Sequence, residues 1–140
     1  MKKTFRILAA LVAALLLVSL VSCGKTDTDA LWQSAEYTAD TTLGEGAHTA
    51  RLTVEAGEKS VVFTVHTDKE NLGEALLDLG LIAGDAGEYG LYVKKVNGIT
   101  ADYDVDGSYW GFYVNGEMAM NGVDGETIDD GASYSLIYTK

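Results

Sequence analysis

Apolar residues fall along this chain in three different rhythms. From Ile7 to Val21 they form one run broken only by Ser19. From Thr49 they alternate with polar ones. Arg51-Leu52-Thr53-Val54-Glu55 is followed by Ala56-Gly57-Glu58, and Ser60 to Thr67 then sets Val61, Phe63 and Val65 on one side. Two alternating runs joined by a short glycine turn predict a β-hairpin. The period then changes. Leu72, Leu76 and Leu79 recur at helical spacing, and Ala75 and Leu77 widen the stripe. Asn71 is a good N-cap with Glu74 three residues on, Gly80 suits a left-handed stop, and Leu81 can pack back on Leu76. Beyond the helix alternation returns. Leu91–Val96 runs into Asn97-Gly98, and Tyr109–Val114 runs into Asn115-Gly116 with Met118–Met120 returning. Asp129-Asp130-Gly131 is a turn before a last strand, Ser133–Tyr138.

The order is hairpin, helix, then three or more strands. A lone helix must bury its leucine stripe against a sheet face. The pattern therefore predicts an α+β fold: a two-layer, β-grasp-like mixed sheet with one packed helix, preceded by a cleaved signal helix. The domain is expected over 47–140.

The opening run carries Lys2, Lys3 and Arg6 in front of it and is too short for a comfortable membrane span. It ends Leu20-Val21-Ser22-Cys23-Gly24, with a branched residue, a small one, then cysteine. This resembles the lipobox of bacterial lipoproteins. The resemblance implies that residues 1–22 are a signal peptide, that Cys23 receives a diacylglyceryl group, and that the protein is anchored by lipid on the extracytoplasmic face of the cell membrane. Two acyl chains hold a protein stably where one does not. Residues 23–46 then read as the lipidated cysteine and a polar tether, flexible over Gly24–Ala30. Leu31-Trp32 and Ala35–Thr38 fit either an edge strand within 31–40 or more tether, and Trp32 is also a type that rests at a membrane surface.

The charge narrows the partners. All 21 acidic residues follow Cys23, whereas three of the ten basic ones precede it, so the chain from Cys23 onward carries seven basic residues and a net charge of −14. Such a surface repels phosphate, so no nucleic-acid partner is expected. Proline is absent, and the single cysteine allows no intramolecular disulfide.

Candidate chemistry is sparse. Asp102-Tyr103-Asp104-Val105-Asp106-Gly107 opens as a calcium loop does, but the twelfth position is Tyr113 rather than a bidentate glutamate, and no helices flank the run. Asp102, Asp104 and Asp106 are thus a weak calcium candidate beside the plainer reading of a solvated acidic loop. His48 and His66 have no further ligand at zinc spacing. His66 reads as a surface or edge residue, with axial ligation of a metal cofactor as the alternative. No nucleophile motif or phosphate-cradling loop is present, so no enzyme activity is expected. The unusual segment is Tyr109–Met120. Alternation places Trp110, Phe112 and Val114 on one face and Tyr109, Gly111 and Tyr113 on the other. Aromatics and methionines beside a bare glycine make a flat platform for an apolar or planar ligand. The alternative is that these rings cover the second sheet face beneath Leu31–Tyr37.

Residues 108–139, SYWGFYVNGEMAMNGVDGETIDDGASYSLIYT, resemble the small β-domain at the C-terminus of intrinsic factor and transcobalamin, which bacterial lipoproteins also carry. The upstream segments NLGEALLDLGLI and GLYVKKVNGI fit that family's helix and following hairpin, so the likeness covers about 50–140. The resemblance implies that the domain covers one face of cobalamin. It makes Tyr109, Trp110, Phe112 and Tyr113 the ligand-facing set, with Asn97 and Met118 nearby. No counterpart is expected here for the helical domain that holds cobalamin's other face in the vertebrate carriers. The expected function is a non-catalytic cell-surface module binding a protein partner or a planar ligand. The alternative is a cobalamin- or corrinoid-binding lipoprotein, acting alone or beside a surface protein or corrinoid transporter. No cofactor is required, and cobalamin would be a bound ligand.

Overall fold

A computed structural model describes residues 27–140. The expected signal segment, Cys23 and the start of the expected tether lie outside the described residues. The elements are α1 (Thr28–Trp32), β1 (Thr41–Gly44), β2 (His48–Ala56), β3 (Lys59–Thr67), α2 (Leu72–Asp78), β4 (Ile82–Gly87), β5 (Gly90–Val96), β6 (Ile99–Thr100), α3 (Tyr103–Asp106), β7 (Tyr109–Val114), β8 (Glu117–Met118), a 3₁₀ turn (Val123–Gly125) and β9 (Ser133–Thr139). The fold is mixed α+β, dominated by strands in two sheets with few helices. The larger sheet has the order β1-β3-β2-β9-β7-β8, and the smaller one β4-β5-β6.

The expected hairpin is β2–β3, with Leu52 opposite Phe63 and Val54 opposite Val61. β9 inserts parallel to β2, setting Tyr134 beside Leu52 and Leu136 beside Val54. β7 pairs antiparallel with β9, so Phe112 faces Leu136 and Trp110 faces Tyr138. Alternation thereby builds one apolar inner face, on which Leu52, Phe63, Val65, Tyr134 and Leu136 are fully buried. Leu72, Ala75 and Leu76 of α2, Val93 and Val96 of β5, and Trp32 of α1 join the same core. The Asn71 side chain accepts from Glu74 N at 3.0 Å. The helix stops at Gly80 (φ +68°), where Leu81 N donates to Leu76 O. Leu77 and Leu79 are 42% and 36% exposed, because the helix lasts only two turns and its far end overhangs the core.

Four expectations are corrected. Helix α2 is accompanied by two short helices, so it is not the lone helix. No strand lies within 31–40; the edge strand on the β3 side is β1, parallel to β3. Asp27 caps α1 by accepting from Ala30 N at 3.2 Å, so the tether is already ordered before Ala30. The strands after α2 do not all extend one sheet. The Asn97-Gly98 hairpin closes a separate sheet with β4, whose sequence Ile-Ala-Gly-Asp-Ala-Gly has one buried side chain and hence no alternating signal.

The segment 28–37 is a strap across the inner layer. Trp32 Nε1 donates to Ala56 O at 2.9 Å. The Tyr37 ring meets Phe63 edge-on at 5.6 Å. Asn97, fully buried, accepts from Tyr37 N at 2.9 Å and donates to Tyr37 O at 2.8 Å. A buried amide is tolerated when its polar atoms are paired in this way.

Candidate functional site

Large apolar side chains face water on several surfaces, two of which involve the segment Tyr109–Met120. The first is the outer face of the large sheet. Tyr113 stands opposite Met118 and Ser135, and Tyr109 opposite Thr139. Tyr109 is 37% and Met118 66% exposed, while Tyr113 is half-buried. The strap packs on the opposite, inner face, so Leu31–Tyr37 does not cover these rings. Gly111 is no open platform, however. A Cβ there would stand 3.0 Å from Tyr113 Cε2, so the Tyr113 ring already lies across the space a side chain would take.

The second surface is an open cleft of about 610 Å³ lined by Tyr89, Gly90, Ala119, Met120, Asn121, Gly122, Asp124 and Gly125. It is built by two turns brought together. The β4–β5 tip contributes Tyr89 and Gly90, and the segment leaving β8 contributes Ala119 to Gly122. Asp124 ties them, because its carboxylate accepts from Leu91 N at 2.9 Å. Asn71 Nδ2 donates to Asp124 O at 2.7 Å. Leu72 N donates to Glu126 O at 2.9 Å. Gly73 permits the close approach of the 3₁₀ turn to α2, since a Cβ there would come 2.7 Å from Asp124 Cα. Val123 is buried beneath and anchors the turn. The floor is therefore glycine-rich backbone held in place by the Asp124 hydrogen bonds. On its rim Tyr89 is 93% and Met120 99% exposed. Folding gains nothing from leaving such side chains in water, so they mark this rim as a surface able to bury apolar area on contact.

The sequence-predicted residues divide. Tyr109, Tyr113 and Met118 share the outer face. Trp110 is buried on the inner face, its ring edge-on to Tyr138 at 5.7 Å, and its indole N–H has no partner among the described residues. Phe112 packs against the core and stacks on Tyr134 at 6.3 Å. Asn97 clamps the strap on the far side of β5. The six thus do not form one surface. Of the residues lining the cleft, Tyr89 and Gly90 were not singled out by the sequence, and nothing local distinguishes Met120 from Met118.

The acidic run is α3 with its caps rather than a loop. Asp102 caps it, accepting from Asp104 N at 3.1 Å, and Gly107 ends it at φ +77°. Asp106 accepts from the Ser108 hydroxyl and from Ser108 N, which together with Lys140 hold its carboxyl below the ordinary value. Lys94 bonds Asp85 at 3.0 Å and lies 3.8 Å from Asp102, so its ammonium is held above its ordinary value, Asp85 being the larger cause. These carboxylates are occupied as caps and ion pairs. Among the described residues no three His, Cys, Asp or Glu side chains converge as metal ligands. His48 lies 3.8 Å from Asp130, and His66 Nδ1 is 3.1 Å from Thr49 Oγ1.

Residues 70–139 match the family described as Domain of unknown function (DUF4430). A crystal structure from Ruminococcus gnavus ATCC 29149, described as a candidate metal-binding protein, is 32% identical with a TM-score of 0.63; the match covers 67% of this chain and 98% of that one. Haptocorrin, solved in complex with Cbi, matches with a TM-score of 0.54 at 15% identity, over 70% of this chain and 26% of haptocorrin. That likeness shows a shared fold, and the match spans about a quarter of haptocorrin's length. No curated protein matches the chain.

Proposed function

This chain belongs to the family described as Domain of unknown function (DUF4430), and from that premise we propose that it is a non-catalytic ligand-binding module, held by lipid on Cys23 at the extracytoplasmic face of the membrane. The observation that carries the binding half is the cleft rim: Tyr89 and Met120, almost wholly exposed, over a floor of Gly90, Gly122 and Gly125 pinned by Asp124. A tyrosine ring and a polarisable thioether beside bare backbone suit the face of a planar, largely apolar molecule. The cleft is open along one side, so it covers one face of a ligand and leaves the other to solvent or to a partner protein. A corrinoid is the ligand of this shape that the likeness to haptocorrin in complex with Cbi favours. The anchoring half rests on Lys2, Lys3 and Arg6, the apolar run to Val21, and Ser22-Cys23.

The chain with Cys23→Ser, lacking residues 1–22, is titrated with cobinamide and cobalamin by absorbance and calorimetry. A one-sided platform is expected to bind no more tightly than about 1 µM, or about −8 kcal/mol. The double variant Tyr89→Ala/Met120→Ala is expected to abolish the signal while leaving the melting temperature unchanged. Absence of heat and spectral change at millimolar ligand removes the corrinoid reading. Intact-mass measurement of the membrane-extracted protein tests the anchor, which requires a diacylglyceryl adduct on Cys23.

A further inference from the structure

One end of the large sheet gathers features that neither the core nor the cleft uses. The register defines that end: Glu55 of β2 stands opposite Ile137 of β9, and Thr139 opposite Tyr109 of β7. The β2–β3 turn, the C-terminus and the start of β7 therefore lie side by side, with β2 and β7 about 10 Å apart at strand spacing. Helix α1 docks here. Thr28 Oγ1 accepts from Glu58 N at 3.0 Å, and Asp29 pairs with Lys59 at 2.7 Å. Helix α3 docks here too, since Asp106 pairs with Lys140 at 3.5 Å. No residue of α3 is buried. Its Tyr103 is 63% and its Val105 80% exposed, on the two sides of the single turn.

The described chain begins at Asp27, on this end, four residues after Cys23. Four residues span at most about 14 Å. On the lipid-anchor reading of Cys23, such a leash brings this end to the membrane. We propose that the domain stands on the bilayer with α3 in contact with it, Val105 entering the headgroup region. Of the carboxylates of this end, Asp29, Asp102 and Asp106 each face a lysine, while the exposed Asp104, Glu55 and Glu58 do not and are left on the aqueous side of the headgroups. With a net charge of −14 from Cys23 onward, the surface that suits this contact is zwitterionic rather than anionic. A tethered contact needs little affinity of its own, because the anchor supplies a high effective concentration. The cleft is carried toward the other end, since the chain after its 3₁₀ turn is tied to the start of β9 by Tyr134 Oη with Asp129 N at 2.9 Å. It would thus face away from the lipid.

The test uses the full acylated chain reconstituted in phosphatidylcholine vesicles. The lipid-bearing Cys23 is a thioether, so Val105→Cys supplies the one free thiol for an environment-sensitive dye. Glu117→Cys, on the hairpin at the opposite end, is the control. The proposal expects the dye at 105 to shift to the blue and to be quenched by brominated phosphatidylcholine. The dye at 117 should do neither, and Cys23→Ser should lose the effect at 105. Vesicle-bound protein with position 105 unquenched, or with 117 quenched instead, overturns the orientation and leaves the lipid-anchor reading standing. A chain that carries no diacylglyceryl mass and does not float with vesicles overturns both.

Discussion

Replacing Asn97 by alanine tests whether this residue holds the fold or meets a ligand. Its side chain makes two hydrogen bonds to Tyr37, sixty residues away, and is fully buried. Its backbone sits at φ +51°, where asparagine is tolerated and alanine is strained. Each lost bond costs about 0.5–1.5 kcal/mol. The left-handed backbone adds about 1 kcal/mol for alanine. The sum is about 3 kcal/mol, which for a domain of this size lowers the melting temperature by about 12 °C. Asn97→Gly loses the same bonds without the strain and should cost about 2 kcal/mol. Urea unfolding followed by the fluorescence of Trp32 and Trp110 gives both values. Hydrogen exchange should show the amides of Glu36 and Tyr37 losing protection first, because the strap is what the clamp retains. An alanine variant within 0.5 kcal/mol of the parent, or a glycine variant less stable than the alanine one, would refute this reasoning. If folded Asn97→Gly protein loses ligand affinity while its strap amides stay protected, Asn97 belongs to a binding surface instead.

The two tryptophans should answer differently to the same change. Trp32→Phe leaves the buried Ala56 carbonyl without its donor and is expected to cost about 1–3 kcal/mol. Trp110→Phe removes an N–H that has no partner among the described residues and should cost less than about 1 kcal/mol; equal losses in urea unfolding would contradict the hydrogen-bond argument. The Asp106 carboxyl is held low chiefly by Ser108, so its titration by carbon NMR should have a midpoint below 3.8, and Ser108→Ala should move it upward. Because the folded state depresses this group, its contribution to stability is present above the unfolded value and is lost as pH falls through the folded one. A midpoint at or above 3.8 would show that the Ser108 contacts do not persist in solution.

What could be read from sequence here is what depends on neighbours a few residues apart. Asn97-Gly98 and Asn115-Gly116 turn the chain with positive φ at both positions, as their residue types require. Asn71 and Gly80 bound α2, and the alternation of Leu52, Val54, Val61, Phe63 and Val65 identifies one buried face before any pairing is known. Pairing beyond the hairpins was not legible. That β9 enters beside β2, that β4 and β5 leave for a second sheet, and that the edge strand on the β3 side is Thr41–Gly44 follow from contacts across dozens of residues, which no local pattern encodes. The fate of the aromatic strand was decided in the same way. Alternation separated Trp110 and Phe112 from Tyr109 and Tyr113, but only the packed layers determined that the first pair is inner. Asn97 looks like a turn residue in sequence and becomes a clamp only because the strap passes over it. The cleft is the extreme case. Tyr89 and Met120 lie thirty-one residues apart and border one surface because the carboxylate of Asp124 draws their two turns together.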